Sequence, residues 1–204
     1  MDDSLKKDSI LILDFGSQVT QLIARRIRES GVYCQILPFS QAEEALKKLQ
    51  PKGMILSGGP SSVMEEGPPR IDKKVFELGI PILGICYGQQ IMCSLLGGEV
   101  ESSKEREFGR VKIKLLESSM LFEGFNVKGE AEPVWMSHGD KVTSLPDGFE
   151  VLAESENAPF AAISDEERSF YGVQFHPEVV HTPNGQKILE NFTRKISGCS
   201  GSWT

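Results

Sequence analysis

The chain has 204 residues, of which 39% are hydrophobic and 25% charged. This usage excludes disordered and fibrous classes and points to one globular domain that hides roughly 70% of its unfolded surface. Its 22 basic and 29 acidic residues leave a net charge of −7, the opposite of what holding nucleic acid by its phosphates requires. No apolar run approaches the roughly 18 residues needed to span a bilayer, and the opening MDDSLKKDS lacks a signal-peptide pattern, so a soluble cytoplasmic protein without a membrane partner is expected.

Ser9 to Phe15 is an apolar run ended by Gly16, as a strand buried on both faces would be. Residues 17 to 30 place Val19, Leu22, Ile23 and Ile27 on one helical face, with Gly31 as the stop. The alternation continues with a strand over Tyr33 to Leu37, a helix over Gln41 to Leu49 and a strand over Gly53 to Leu56. A helix over Asp72 to Leu78, a strand over Ile80 to Ile85 and a helix over Tyr87 to Leu96, stopped by Gly97-Gly98, complete it. Such a βαβα series predicts an α/β fold, an open and mostly parallel sheet with helices on both faces. Beyond Gly98, alternating segments over Arg110 to Leu115, Val134 to Met136, Phe149 to Ala153, Phe160 to Ile163 and Phe170 to Phe175 predict added, partly antiparallel strands. A last amphipathic helix is expected over Asn184 to Ile196. The tail GCSGSWT offers no partner, so residues 1–197 are expected as the domain and 198–204 as the start of a linker.

Cys34, Cys86, Cys93 and Cys199 are expected as free thiols, because no secretory signal accompanies them. Three dispersed histidines (His138, His176, His181), with neither HExxH nor a CxxC pair, offer little to a metal. Cys86 is distinguished by its setting. In Gly84-Ile85-Cys86-Tyr87-Gly88 a predicted strand turns directly into a predicted helix. Two glycines permit the sharp turn of a nucleophile elbow, and the helix N-terminus favours a thiolate. Cys93, beside Ile91, Met92 and Leu95, is core filling. A base and acid is offered by His176-Pro177-Glu178 at a predicted strand end. In extended chain, residues i and i+2 project to one side, as a histidine and its orienting carboxylate should. His138, with Asp140 two residues on, is the rival histidine on a predicted loop. Ser57-Gly58-Gly59-Pro60 follows a strand at the carboxyl edge of the sheet, where open α/β sheets bind ligands. Its glycine pair can aim an amide at a developing oxyanion, with the Tyr87 amide as second donor. Gln90 and Asp140 suit a free amino acid, which presents both an ammonium and a carboxylate. No GxGxxG and no GxxxxGK[ST] occurs, so no nucleotide site is supported in this chain. Asp14-Phe15-Gly16 is read as a strand-to-helix turn.

These segments together resemble the class I glutamine amidotransferases of the triad type, from about Ser9 to Ile196. LGICYGQQ at 83 to 90, WMSHGD at 135 to 140, GVQFHPEVVHT at 172 to 182 and the tail ISGCSGSWT are similar to members that serve an ATP-dependent synthetase. The resemblance implies Cys86 as nucleophile, His176 as acid and base, Glu178 as its orienting carboxylate, and Gly59 and Tyr87 as oxyanion-hole amides. It also implies Gln90, Ser137, Gly139 and Asp140 as contacts to an L-glutamine substrate. No cofactor is implied for this chain itself; ATP and Mg2+ belong to an ATP-pyrophosphatase synthetase domain of the same full-length protein. Glu101 to Arg110, charged and between predicted elements, is a candidate contact surface for that domain. Another amidotransferase or a γ-glutamyl hydrolase could use the same three residues, and a non-catalytic module could share the scaffold.

Overall fold

The computed structural model describes residues 7–129 and 131–204, with only the backbone at 104 and 105. The opening residues 1–6, part of the segment read above for a signal peptide, lie outside the described residues. One nine-stranded sheet runs in the order β2-β1-β3-β4-β9-β8-β7-β5-β6. Its parallel half comprises β1 (Ser9–Asp14), β2 (Tyr33–Pro38), β3 (Gly53–Leu56), β4 (Ile82–Ile85) and β9 (Phe170–Val173). The helices α1 (Thr20–Glu29), α2 (Ala42–Leu49), α3 (Tyr87–Leu95) and α4 (Gly185–Glu190) accompany it.

The unbroken apolar strands serve two cores. Ile10 and Ile12 of β1 join Ile23 and Ile27 of α1 and Phe192 on one face, whereas Leu11 and Leu13 join Ala45 and Leu46 of α2 and Ile91 of α3 on the other. A period of two on a strand covered on both sides produces this division. The β1-to-α1 turn at Asp14-Phe15-Gly16 is as expected: Asp14 Oδ1 accepts from the Gly16 amide at 2.9 Å and from Thr20 Oγ1 at 3.0 Å, and Gly16 sits at φ +94°.

From β9 the sheet turns antiparallel through β8 (Ala162–Asp165) and β7 (Glu150–Glu154) to β5 (Glu99–Leu115) and β6 (Glu132–Ser144). Only Lys114 and Leu115 of β5 pair with β7, while its ladder with β6 extends from Glu99↔Ser144 to Ile113↔Glu132. The two strands thus form a long ribbon that leaves the sheet.

Four expectations are corrected. Asp72 to Leu78 forms no α-helix but a 3-10 turn over Lys73–Glu77, whose Lys74 amide bonds to Asp72 Oδ1 at 2.8 Å; Gly79, at φ +71°, and Pro81 stop the segment before it can extend. The strands predicted over Arg110 to Leu115 and Val134 to Met136 are far longer, so that residues 101–109 and the loop expected at His138 belong to the two strands of the ribbon, hidden because its polar positions break the apolar alternation. The closing helix changes at Asn191 to a π-helical turn over Asn191–Ile196, where buried Asn191 Nδ2 donates to the Leu121 and Glu123 carbonyls at 2.9 and 3.1 Å. The tail does have partners: Cys199 is buried, the Trp203 amide donates to the Gly31 carbonyl at 2.9 Å, and the Trp203 and Tyr33 rings lie 6.0 Å apart.

Candidate active site

The strands β1, β3, β4 and β9 are parallel, so their carboxyl ends open at one edge, and every segment singled out on them converges there. Cys86 is the first residue past β4, at φ +53° and ψ −109°. A non-glycine residue in such a conformation costs about 1–3 kcal/mol and persists only where its surroundings impose it. Here the Cys86 amide donates to the Val173 carbonyl at 2.8 Å, and the Cys86 carbonyl accepts the Gln90 amide at 3.2 Å. Both flanking glycines are required by space. A Cβ on Gly88 would lie 2.1 Å from the Leu56 carbonyl oxygen, and one on Gly84 would lie 2.7 Å from the Gln89 nitrogen. Directly after the elbow, the first amides of α3 have no intrahelical acceptor, which makes the region around the sulfur electropositive.

His176 follows β9, its amide bonded to the Trp135 carbonyl at 3.0 Å and its carbonyl to Thr182 Oγ1 at 2.6 Å. Its Nδ1 lies 2.7 Å from Oε1 of Glu178, which is fully buried, so Nε2 is the nitrogen left for chemistry. A Cβ placed on Gly58 would touch His176 Cε1 at 3.3 Å and Cys86 Cβ at 3.7 Å, which puts imidazole and thiol side by side over the Ser57-Gly58-Gly59 turn. Burial disfavours the His176 cation, but hydrogen bonding to Cys86 and Glu178, together with their negative charge, outweighs it and pushes the pKa up to about 10. The remaining thiols have a different environment: burial pushes Cys34 up to about 11 and Cys93 and Cys199 up to about 12. All four cysteines are free.

The sulfur opens on two cavities. One, of about 350 Å³, is lined by Gly59, Tyr87, Gln90, Ser137, Gly139 and Asp140, with Glu65, Arg106 and His138 alongside. The other, of about 320 Å³, is bounded by Ser17, Gly59, Trp135, His176 and Val179. Gly59 lies so close to the Phe15 carbonyl that a Cβ would approach its oxygen to 2.5 Å. Tyr87 is anchored by its hydroxyl, which donates to the Pro69 carbonyl at 2.6 Å. The ribbon supplies the roof, since the Ser137 carbonyl lies 3.6 Å from Cys86 Sγ.

The rival histidine is differently employed. His138 points inward on β6, and both its nitrogens are occupied, Nδ1 by the Asp140 carbonyl at 2.8 Å and Nε2 by Glu107 Oε2 at 2.9 Å. No ring nitrogen of His138 is left to face the sulfur. The His181 ring lies against Trp135, with centroids 4.6 Å apart and the planes tilted by 30°. Three site residues escaped the sequence reading. Gln174, buried, donates Nε2 to Cys86 Sγ at 3.6 Å and accepts Gln90 Nε2 at 3.1 Å; Glu107 pairs with His138; and Arg106 lines the cavity. Gln174 lies two residues before His176, a spacing that could have drawn attention to it; the others are visible only once the ribbon is paired. Among the described residues, no group of three or more His, Cys, Asp or Glu is placed to hold a metal ion, and no helix is long and apolar enough to cross a membrane.

A family model described as "Glutamine amidotransferase class-I" matches residues 11–196. Proteins named GMP synthase [glutamine-hydrolyzing] from Rhizobium etli and Brucella melitensis biotype 1 are each 59% identical over the whole chain, which covers 39% and 40% of their length. The chain therefore spans about two fifths of the curated relatives it matches. Among solved structures, a Thermoplasma acidophilum protein described as a GMP synthase subunit superposes with a TM-score of 0.80 at 32% identity, with 93% of each chain covered. A glutamine amidotransferase of Methylobacillus flagellatus shares the fold, with a TM-score of 0.71 at 15% identity over 96% of this chain and 95% of its own. The match across nearly the full length, carried by both sequence and architecture, makes this chain a member of the class-I glutamine amidotransferase family.

Proposed function

We propose that the chain hydrolyses L-glutamine to glutamate and ammonia through Cys86, His176 and Glu178. The observation that carries this reading is the strained elbow cysteine beside a histidine whose other nitrogen is held by a buried carboxylate. The Cys86 thiolate attacks the side-chain amide carbon of glutamine, and the resulting oxyanion is met by the amides of Gly59 and Tyr87. His176 Nε2–H then protonates the amide nitrogen, the C–N bond breaks, and ammonia leaves a glutamyl thioester. Water gives a proton to the same nitrogen as it attacks the thioester; the sulfur departs as thiolate and glutamate is released. Glu178 holds the imidazole orientation and favours its cation in both halves. The substrate's ammonium and carboxylate are matched by a cavity that has Glu65 and Asp140 as well as Arg106 in its lining, next to Gln90, Ser137 and Gly139.

The ammonia supplies the ATP-dependent amination of xanthosine monophosphate to GMP by a synthetase domain that uses ATP and Mg2+. The names of the 59%-identical relatives and the share of their length that this chain covers support that assignment. Residues 1–197 then form the amidotransferase unit and the packed segment 198–204 begins the connection, in a cytoplasmic protein whose thiols stay reduced.

The test is ammonia release from L-glutamine by the chain and by Cys86→Ala, each with and without the synthetase domain, ATP and xanthosine monophosphate. Loss of release in Cys86→Ala and stimulation by the added domain are expected. Release that survives the substitution overturns the nucleophile, and the absence of stimulation overturns the coupling.

A further inference from the structure

The ribbon buries a second carboxylate and histidine that the proposed chemistry leaves unused. Val134, Met136 and His138 form one inward row on β6, and Glu107 is the register partner of His138 on β5. Both groups are about as buried as the apolar core, at 5% exposure each, a costly placement for two ionisable side chains unless they are fully hydrogen-bonded. They are. His138 Nδ1 faces the Asp140 carbonyl, which can only accept, so Nδ1 bears a hydrogen. Nε2 and Glu107 Oε2, 2.9 Å apart, share one further proton, and Ser155 Oγ donates to Glu107 Oε1 at 3.3 Å.

The pair stands where the ribbon needs it. The β5–β6 register shifts between Ser102 and Glu107, so that Ser102↔Asp140 and Glu107↔His138 flank the shift. The Asp140 carbonyl that receives His138 also receives Gln90 Nε2 at 2.9 Å. The same Gln90 amide donates to Gln174 Oε1, and Gln174 Nε2 reaches Cys86 Sγ. An unbroken hydrogen-bonded series thus joins Ser155 and Glu107 to the sulfur along the wall of the polar cavity.

We infer that Glu107 is a positioning residue for the glutamine cavity: through His138 it fixes the Asp140 carbonyl, and with it the Gln90 amide in the cavity wall. This inference rests on the reading of that cavity as the glutamine site. It predicts a defect in recognition of the amino acid rather than in the sulfur itself, and a rescue by shape. Glutamine at position 107 supplies its own N–H to the Nε2 lone pair of a neutral His138 and keeps the geometry, whereas alanine or the shorter aspartate does not.

The experiment follows Cys86 modification by mass spectrometry with two reagents, the diazoketone analogue of L-glutamine, which must occupy the cavity, and iodoacetamide, which need not. In Glu107→Ala the half-saturating concentration of the analogue is expected to rise about tenfold, the equivalent of one lost charge-assisted hydrogen bond, with the iodoacetamide rate within about twofold of the parent. Glu107→Asp, with unchanged far-UV circular dichroism, serves the same purpose should alanine prevent folding, and Glu107→Gln is expected to restore the parent value. An unchanged half-saturation in the alanine and aspartate variants, equal impairment in Glu107→Gln, or a parallel fall in the iodoacetamide rate overturns the inference. Analogue labelling that persists elsewhere in Cys86→Ala refutes instead the underlying reading of the cavity, whatever the Glu107 variants do.

Discussion

Gly88→Ala is the smallest perturbation that reaches the elbow from the side of the scaffold. The added methyl carbon would lie 2.1 Å from the Leu56 carbonyl oxygen and 2.7 Å from the Leu56 carbonyl carbon and Cβ. Ordinary contact begins near 3.4 Å, so α3 and the end of β3 must part by more than an ångström. Neither can yield freely, because Leu56 pairs on both sides, with Leu13 and Gly84, and the Gln90 amide is tied to the Cys86 carbonyl. Overpacking of this kind costs about 1–3 kcal/mol, offset by up to about 1 kcal/mol because alanine is the better helix former. Net destabilisation of about 1–2 kcal/mol corresponds to a melting temperature lowered by roughly 2–8 °C in a domain of this size. The effect on turnover is expected to be larger. A displacement of that order at the reacting centre costs about 100-fold, because Cys86 moves away from both His176 and the oxyanion amides. Ammonia release and thermal unfolding of the same preparation separate the two effects. Turnover within about threefold of the parent would refute the argument that the elbow is held by close backbone packing.

Three further expectations can be checked directly. His176 has its pKa raised from the ordinary 6.5 to about 10, where bonding to Cys86 and Glu178 outweighs the opposing effect of burial; its stabilising contribution is therefore complete below pH 6.5 and is lost as pH rises through about 10. Denaturation midpoints of parent and His176→Gln should accordingly lie furthest apart below pH 6.5 and converge toward pH 10; a gap constant across that range contradicts it. Native iodoacetamide labelling near pH 8 should modify Cys86 before Cys34, Cys93 and Cys199, whose buried thiols are held up at about 11, 12 and 12, and denatured protein should label at all four. Mass spectrometry of the peptides reads this, and equal native labelling of Cys34 would count against it. Trp203→Ala removes the Tyr33 ring contact and should cost about 0.5–1.5 kcal/mol, a fall of about 1–6 °C in melting temperature; no shift would mean the tail adds nothing to stability.

Much of the molecule was legible because its determinants are local. The runs at 10–13, 53–56 and 80–85 are apolar at every position, which only a sheet covered on both faces can accommodate, and the two cores divide Ile10 and Ile12 from Leu11 and Leu13 accordingly. Gly84 and Gly88 around Cys86 mark a turn whose space admits no Cβ, and Glu178, only two residues past His176, reaches its ring nitrogen at 2.7 Å, although Pro177 and Glu178 lie in a turn and not in the extended chain expected. Each of these requirements acts within a few residues of the chain, where composition and spacing report it.

What tertiary structure alone decided lies in the ribbon and in the contacts it makes. Glu107 and His138 are 31 residues apart and meet because two polar strands pair beyond the sheet; the strand expected over Val134 to Met136 does not read on through His138 until the carboxylate partner is in place. Gln174 and Gln90 come together across 84 residues beneath the same roof, and the tail finds Gly31 and Tyr33 across the full length of the domain. Local pattern encodes the elbow because backbone sterics are short-ranged, whereas the cavity walls depend on burying polar groups against partners that only the folded chain brings within hydrogen-bonding distance.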